Sequence, residues 1–198
     1  MLTKTQIKII QVFTGSITET YSIREISRKL NMYVSLVHRN IKPLIINKIL
    51  NKDKHNYLSL NYKQNHNILS YVELEKRDLF LKKHSDIALF KEEVVEKIKE
   101  DLFILILFGS TIQIKNPRDI DILLIVDNTN KVEFHENFLN NITNKYNLPF
   151  ETHVIGFESV YEMLSQKDQK NLMIEILNKH IILYGAEIFY RLLKRGLK

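Results

Sequence analysis

Read from its N-terminus, the chain begins with apolar positions at helical spacing. In residues 3–14, TKTQIKIIQVFT, the residues Ile7, Ile10 and Phe13 fall on one face. Residues 22–30, SIREISRKL, open with Ser22 and Glu25 in the Ser-x-x-Glu pattern of a capping box, with Ile23, Ile26 and Leu30 behind it. The next stretch, NMYVSLVHRNIKPLIINKIL, repeats the helical period through Val34, Val37, Ile41, Leu44 and Ile45. ILNKDKHNYLSLNY then alternates around a polar turn from Asn51 to Asn56, which predicts two short strands. Residues 67–84 and 86–100 alternate apolar and charged positions without Gly or Pro and predict two helices.

From Leu102 the pattern changes. LFILILF is a continuous apolar run, as expected of a strand covered on both faces. It ends at Gly109-Ser110, and after a polar loop DIDILLIV predicts a second such strand. KVEFHENFLNNITNKYN predicts a helix with Phe134, Phe138 and Ile142 spaced by four, and PFETHVIGF a third strand. Two more helical stretches flank HIILYG, which reads as a short strand or a helix end. This alternation predicts an α/β (α+β) protein in three parts. These are a helix-rich N-terminal domain at residues 1–63, a helical connector at 64–85, and a mixed-sheet domain at 86–198.

Charge sharpens that division. The chain of 198 residues has a formal net charge of +6. Residues 1–63 carry 11 Lys and Arg against 3 Asp and Glu, whereas the remainder carries 18 against 20. The basic excess therefore lies wholly in the first third, as for a unit with an anionic partner, although a solubilising lysine surface would give the same count. There is no cysteine, and the seven histidines form no H-x-x-x-H pair, which argues against disulfide frameworks and zinc enzymes. The N-terminus is too polar for a signal peptide, and no apolar stretch approaches the length of a membrane span, so the expected setting is soluble and cytoplasmic.

Three helices followed by a basic hairpin resemble a winged helix-turn-helix. SIREISRKLNMYVSLVHRNIKPLIINKIL is similar to the second helix, turn and third helix of that family, followed by its wing. The resemblance implies duplex DNA as partner, with the third helix in the major groove. Its exposed face would offer Tyr33, Ser35, His38, Arg39 and Lys42, and the wing would offer Lys52, Lys54 and His55 to phosphates. The same unit would also serve for dimerisation or for docking on protein. Pro43 departs from the pattern, because it removes the hydrogen bond to the carbonyl of Arg39 and predicts a kink or an irregular last turn.

The second strand raises a different question. Strand side chains alternate faces, so Asp119 and Asp121 share one face while Ile120 and Ile122 point into the core. Carboxylates that close repel unless a cation lies between them, and hard oxygen ligands suit Mg2+. Glu151 and His153 alternate in the same way in the third strand, so Glu151 completes a three-carboxylate set if the strands are neighbours. Glycine lets backbone approach a phosphate closely, which gives Gly109 and Ser110 a role beside a nucleotide. For Asp119 and Glu151 the alternative is an ordinary polar residue at a strand start, and Lys115 and Arg118 either steer phosphate or are solvated loop charges.

Phe108-Gly109-Ser110, eight residues, then DIDILLIV resembles the DNA polymerase beta-like nucleotidyltransferase superfamily, and within it the small stand-alone (minimal) members. The resemblance covers roughly Asp86 to Lys198. It implies a mixed sheet flanked by helices and transfer of a nucleoside monophosphate from an NTP to a hydroxyl acceptor. It implies Gly109 and Ser110 against the triphosphate, and Asp119, Asp121 and Glu151 as catalytic ligands of two Mg2+ ions. Two departures stand out. Thr111, Ile112 and Gln113 replace the glycine and small residues that usually follow Gly-Ser, and the third acid is Glu rather than the commoner Asp. The latter moves the carboxylate outward by about 1.5 Å, one bond length. The rival expectations are a DNA-binding regulator with a nucleotide-sensing or inactive transferase domain, and an antitoxin-like protein paired with a small helical partner. A homodimer stays open.

Overall fold

The computed structural model describes residues 2–98, 102–112, 118–166 and 171–197. The N-terminal part opens with α1 (Lys4–Thr14), where the Thr3 hydroxyl accepts from the Gln6 N–H at 3.2 Å and the Gln6 side chain accepts from the Thr3 N–H at 2.9 Å. After β1 (Thr20–Tyr21), α2 (Ile23–Leu30) starts on the expected capping box. The Glu25 carboxylate accepts from the Ser22 N–H at 2.7 Å, and the Ser22 hydroxyl accepts from the Glu25 N–H at 3.3 Å. Asn31 ends α2 in the left-handed region at φ 50°, which turns the chain sharply into α3 (Val34–Ile46). α3 runs through Pro43 to Ile46 despite the lost hydrogen bond, and Asn47 closes it by donating its N–H and side-chain amide to the Pro43 carbonyl.

β2 (Leu50–Lys52) and β3 (Leu58–Leu60) form the expected hairpin, and the three strands make an antiparallel sheet in the order β1-β3-β2. The Asp53 side chain holds the turn by accepting from the N–H groups of His55 and Tyr57 at 2.9 and 2.8 Å.

Two helices follow, α4 (His66–Leu81) and α5 (Ser85–Lys97). The second sheet is built from β4 (Phe103–Phe108), β5 (Ile120–Val126), β6 (Phe150–Gly156) and β7 (His180–Tyr184) in the order β6-β5-β4-β7. β5 and β6 run parallel, joined across α6 (Val132–Thr143), and the other pairs are antiparallel. A 3-10 turn, Gly109–Ile112, leads out of β4. α7 (Phe157–Ser165), α8 (Leu172–Asn178) and α9 (Ala186–Gly196) complete the described elements. The protein is thus of the α/β class, and HIILYG is a strand rather than a helix end. Among the described residues no helix is long and apolar enough to cross a membrane.

The sheet is buried on both faces. Leu105, Leu107, Ile122 and Leu124 pack with Phe90 of α5 and Leu139 of α6. Ile104, Ile106, Leu123 and Ile125 face the other way, into a cluster that includes Phe189 and Leu193 of α9. That second cluster is continuous, through Leu69 and Val72 of α4, with Ile10, Phe13, Ile26 and Leu44 of the N-terminal part. The connector is therefore part of a shared core. In α6 the inward stripe is His135, Leu139 and Ile142, and Phe134 is exposed. The expected stripe of Phe134, Phe138 and Ile142 lies about one residue round the helix from the one that packs.

One charged side chain is fully buried in the shared core. Glu73 of α4 accepts a hydrogen bond from the Tyr190 hydroxyl at 3.0 Å and lies 3.3 Å from Lys76 Nζ and 3.4 Å from His180 Nε2. His180 Nδ1 is hydrogen-bonded to the Ile176 carbonyl. Burial pushes the Glu73 carboxyl up, but Lys76, His180 and Tyr190 outweigh it and hold the group at about 2. Burial and the neighbouring Glu73 charge push the Tyr190 hydroxyl well above its ordinary range.

Candidate functional site

The acidic site is assembled by strand register. Asp121 of β5 pairs with Phe108 of β4 on one side and with Glu151 of β6 on the other, and Phe108 pairs in turn with His180 of β7. Side chains in one cross-strand row share a face, so Glu151, Asp121, Phe108 and His180 form a row across the sheet. The row runs from exposed Glu151, through half-buried Asp121, to buried His180. Ile120 and Ile122 point to the opposite face and are buried, as their alternation with Asp121 requires. Asp119 lies one residue before the strand and is exposed. Its carbonyl accepts from the Thr111 hydroxyl at 2.9 Å, which ties the 3-10 turn after β4 to the start of β5.

Gly109 has a specific reason to be glycine. Its φ is +72°, and an added Cβ would stand 1.9 Å from Asp121 Oδ2. The Asp121 carboxylate therefore occupies the space that any other residue at 109 would fill. Burial raises the proton affinity of Asp121, and the charges of Glu151, Glu175 and Asp119 add to the effect, with His153 opposing it in part. The structure thus brings Asp119, Asp121 and Glu151 to one end of the sheet beside Gly109 and half-buried Ser110.

The three acids do not form a ready-made cation cage. His153 Nε2 lies 3.6 Å from Glu151 Oε1, and the His153 ring lies 6.0 Å from that of Phe108. Among the described residues no three His, Asp or Glu side chains converge closely enough to hold a metal ion. The donor set still suits a hard divalent cation, because the like charge that weighs on Asp121 is what such an ion would neutralise. Glu175 is an acid that the sequence pattern did not single out. It sits on α8 within an apolar run, and its charge adds to the rise in the Asp121 proton affinity, an effect that no local spacing encodes. Arg118 is exposed, and Lys115 lies outside the described residues.

The basic residues form a second, separate surface. Tyr33, Ser35, His38, Arg39 and Lys42 are all exposed on α3 or at its start, opposite the buried Val37, Ile41 and Leu44. Tyr33 is 86% exposed, an unusual position for an aromatic ring without a partner to cover it. Lys52, Lys54 and His55 are exposed on the hairpin. His38, Lys42 and Lys52 line one groove of about 190 Å³ with Ile45 and Leu58, so the helix and the hairpin flank a common surface. Exposed Arg24, Arg28 and Lys29 of α2 extend the charge. Among the described residues no Lys or Arg of residues 2–63 is in an ion pair. A larger cleft of about 680 Å³, between α1, the end of α3 and the start of α4, contains none of these residues.

No protein-family model and no curated protein matches the chain. Among solved structures, the chain is similar to the crystal structure of Pseudomonas aeruginosa HmgR, at 18% identity and a TM-score of 0.29. The likeness covers 60% of this chain and 43% of that one, and at that score it bears on neither fold nor function.

Proposed function

We propose that the chain is a nucleotidyltransferase-like protein that binds duplex DNA through residues 1–63 and an NTP with Mg2+ at the Asp121 site. The observation that carries the nucleotide half is the pairing of Asp121 with Glu151 in parallel register, with the Asp121 carboxylate seated in the space left by Gly109. Half-burying one carboxylate and placing another beside it is costly without a cationic ligand. The observation that supports the DNA half is a surface of exposed, unpaired Lys and Arg on both α3 and the hairpin.

In this reading Asp119, Asp121 and Glu151 would hold Mg2+, which would supply charge neutralisation at the triphosphate. In this reading Gly109 lets the backbone of the 3-10 turn come close to a phosphate, and Ser110, next in that turn, donates its hydroxyl to it. Glu151, the most exposed member of the row, accepts the proton of the acceptor hydroxyl. The acceptor oxygen bonds to the α-phosphorus, and the bond from that phosphorus to the β-phosphate oxygen breaks with its electron pair leaving on pyrophosphate. The test is transfer of label from an α-phosphate-labelled NTP to nucleic acid or protein of the source cell, with pyrophosphate release. Asp119→Ala should abolish it, and absence of transfer by the parent chain would remove the enzymatic reading.

A second reading, a DNA-binding regulator whose nucleotide site senses rather than transfers, is favoured by one observation. Glu151 leans toward His153 rather than into a three-acid cage. Tight Mg2+-dependent NTP binding without label transfer would select it.

A further inference from the structure

The cleft between α1, the end of α3 and the start of α4 has a volume of about 680 Å³, within the range of about 300–1,000 Å³ typical of small-molecule sites. Leu2, Pro43, Leu44, Ile49 and Ile68 give it an apolar wall, in which Leu44 and Ile49 are buried. No described residue that lines it is charged, although 26% of the chain is, so the cleft suits a neutral ligand. Its polar groups are mostly amides, and three of them are fixed by backbone. Asn47 Nδ2 donates to the Pro43 carbonyl at 2.9 Å. Asn65 Nδ2 donates to the Asn47 and Lys48 carbonyls, both at 3.1 Å, which ties the start of α4 to the end of α3. Gln6 Oε1 accepts from the Thr3 N–H at 2.9 Å. Each bond takes one end of an amide and leaves the other. Among the described residues nothing hydrogen-bonds to Asn47 Oδ1, Asn65 Oδ1 or Gln6 Nε2. The cleft thus holds two acceptors and one donor on anchored amides, and Tyr71, 45% exposed, brings an aromatic ring to its edge.

We propose that this cleft binds an uncharged planar heterocycle whose edge presents one carbonyl beside two N–H donors, the edge of a guanine ring, as in free guanosine. The ring carbonyl accepts from Gln6 Nε2, and the two N–H groups donate to the side-chain oxygens of Asn47 and Asn65. An adenine edge pairs one donor with one acceptor and leaves an amide oxygen of the cleft unmatched, which weakens its binding. Tyr71 stacks on the ring, and the apolar wall covers what remains of it. Because backbone already anchors the three amides, little of their freedom is lost when the ligand enters. No cation lines the cleft to meet a phosphate, which favours the nucleoside over its nucleotides. The cleft contains none of the residues of the Asp121 site or the basic surface, and the proposal does not rest on the readings given to either.

The experiment titrates guanosine calorimetrically into the full chain without Mg2+, with adenosine and guanosine 5′-monophosphate in parallel. Guanosine should bind with a sub-millimolar Kd, adenosine at least about tenfold more weakly, and the monophosphate no more tightly than the nucleoside. Gln6→Glu keeps the oxygen that accepts from the Thr3 N–H and so preserves the cap of α1, but it replaces the donor with a second acceptor. It should weaken guanosine at least about tenfold. Tyr71→Ala removes the ring at a half-exposed position and should weaken guanosine severalfold, while Tyr71→Phe should restore it. The Tyr71 pair decides the matter if Gln6→Glu does not fold. Absence of guanosine binding at millimolar concentration overturns the proposal. Equal binding of adenosine overturns the lactam edge, tighter binding of the monophosphate overturns the neutral ligand, and equal guanosine binding by parent and variants overturns the cleft as its location. Sedimentation of the same samples covers the other occupant: a parent dimer that Tyr71→Ala dissociates would make the cleft an interface between copies and overturn the proposal.

Discussion

Truncating Glu73 to alanine tests what ties the two halves of the molecule together. The carboxylate is fully buried and meets Tyr190 at 3.0 Å, Lys76 at 3.3 Å and His180 at 3.4 Å. Alanine leaves the buried Tyr190 hydroxyl without an acceptor, at about 1–3 kcal/mol, and opens a cavity between α4 and α9. Breaking a buried ionic contact by removing one partner costs about 3–5 kcal/mol in all. A domain of ordinary stability has about 5–15 kcal/mol to lose, so Glu73→Ala should sit near the edge of folding. Glu73→Gln keeps the volume and an acceptor for Tyr190, and should cost less.

Urea denaturation followed by far-UV circular dichroism measures both. Tyrosine fluorescence gives a second probe, because the chain has nine Tyr and no Trp. The carboxyl sits at about 2 against an ordinary 4.5, so its stabilisation is complete above that ordinary value and is lost as pH falls toward 2. The difference corresponds to about 3 kcal/mol. Glu73→Gln should flatten stability against pH across that acid range. A cost below about 1 kcal/mol for Glu73→Ala would refute the reasoning that the contact holds α4 on the sheet.

Three further outcomes follow from the site. Asp121→Asn should raise stability, because burial and neighbouring carboxylates disfavour the charged form; in the parent, stability should correspondingly fall as pH rises through the elevated Asp121 pKa, as chemical denaturation across pH will show. Gly109→Ala should lower the thermal midpoint and weaken NTP binding together, since the new methyl must displace the Asp121 carboxylate and adopt φ +72°. Arg39→Ala and Lys42→Ala should each weaken duplex binding and reduce the slope of log affinity against log salt by about one, measured by anisotropy, while Asp121→Asn leaves binding of DNA alone unchanged.

Local rules carried the sequence reading where they apply. The Ser22–Glu25 capping box, the hairpin around Asp53 and the alternation that sets Asp121 opposite the buried Ile120 and Ile122 all follow from spacings of one to four residues. The pairing of β5 with β6 does not, because register between strands separated by a helix is set by packing. The same limit explains α6, where spacing by four fits both Phe134 and His135 and only the sheet beneath decides between them. It also explains Glu73, which reads as an exposed position on a charged helix. Its hydrogen-bond donor Tyr190 is 117 residues away. Glu175 and the capping of α8 by Ser16 and Ile17 were equally beyond local reading.

The most direct test of the nucleotide site is calorimetric titration of an NTP into the parent chain and into Asp121→Asn, each with and without Mg2+. Binding by the parent should require Mg2+ and be lost in Asp121→Asn. Absence of binding at millimolar NTP and Mg2+, or equal binding by the two proteins, would contradict the nucleotide reading.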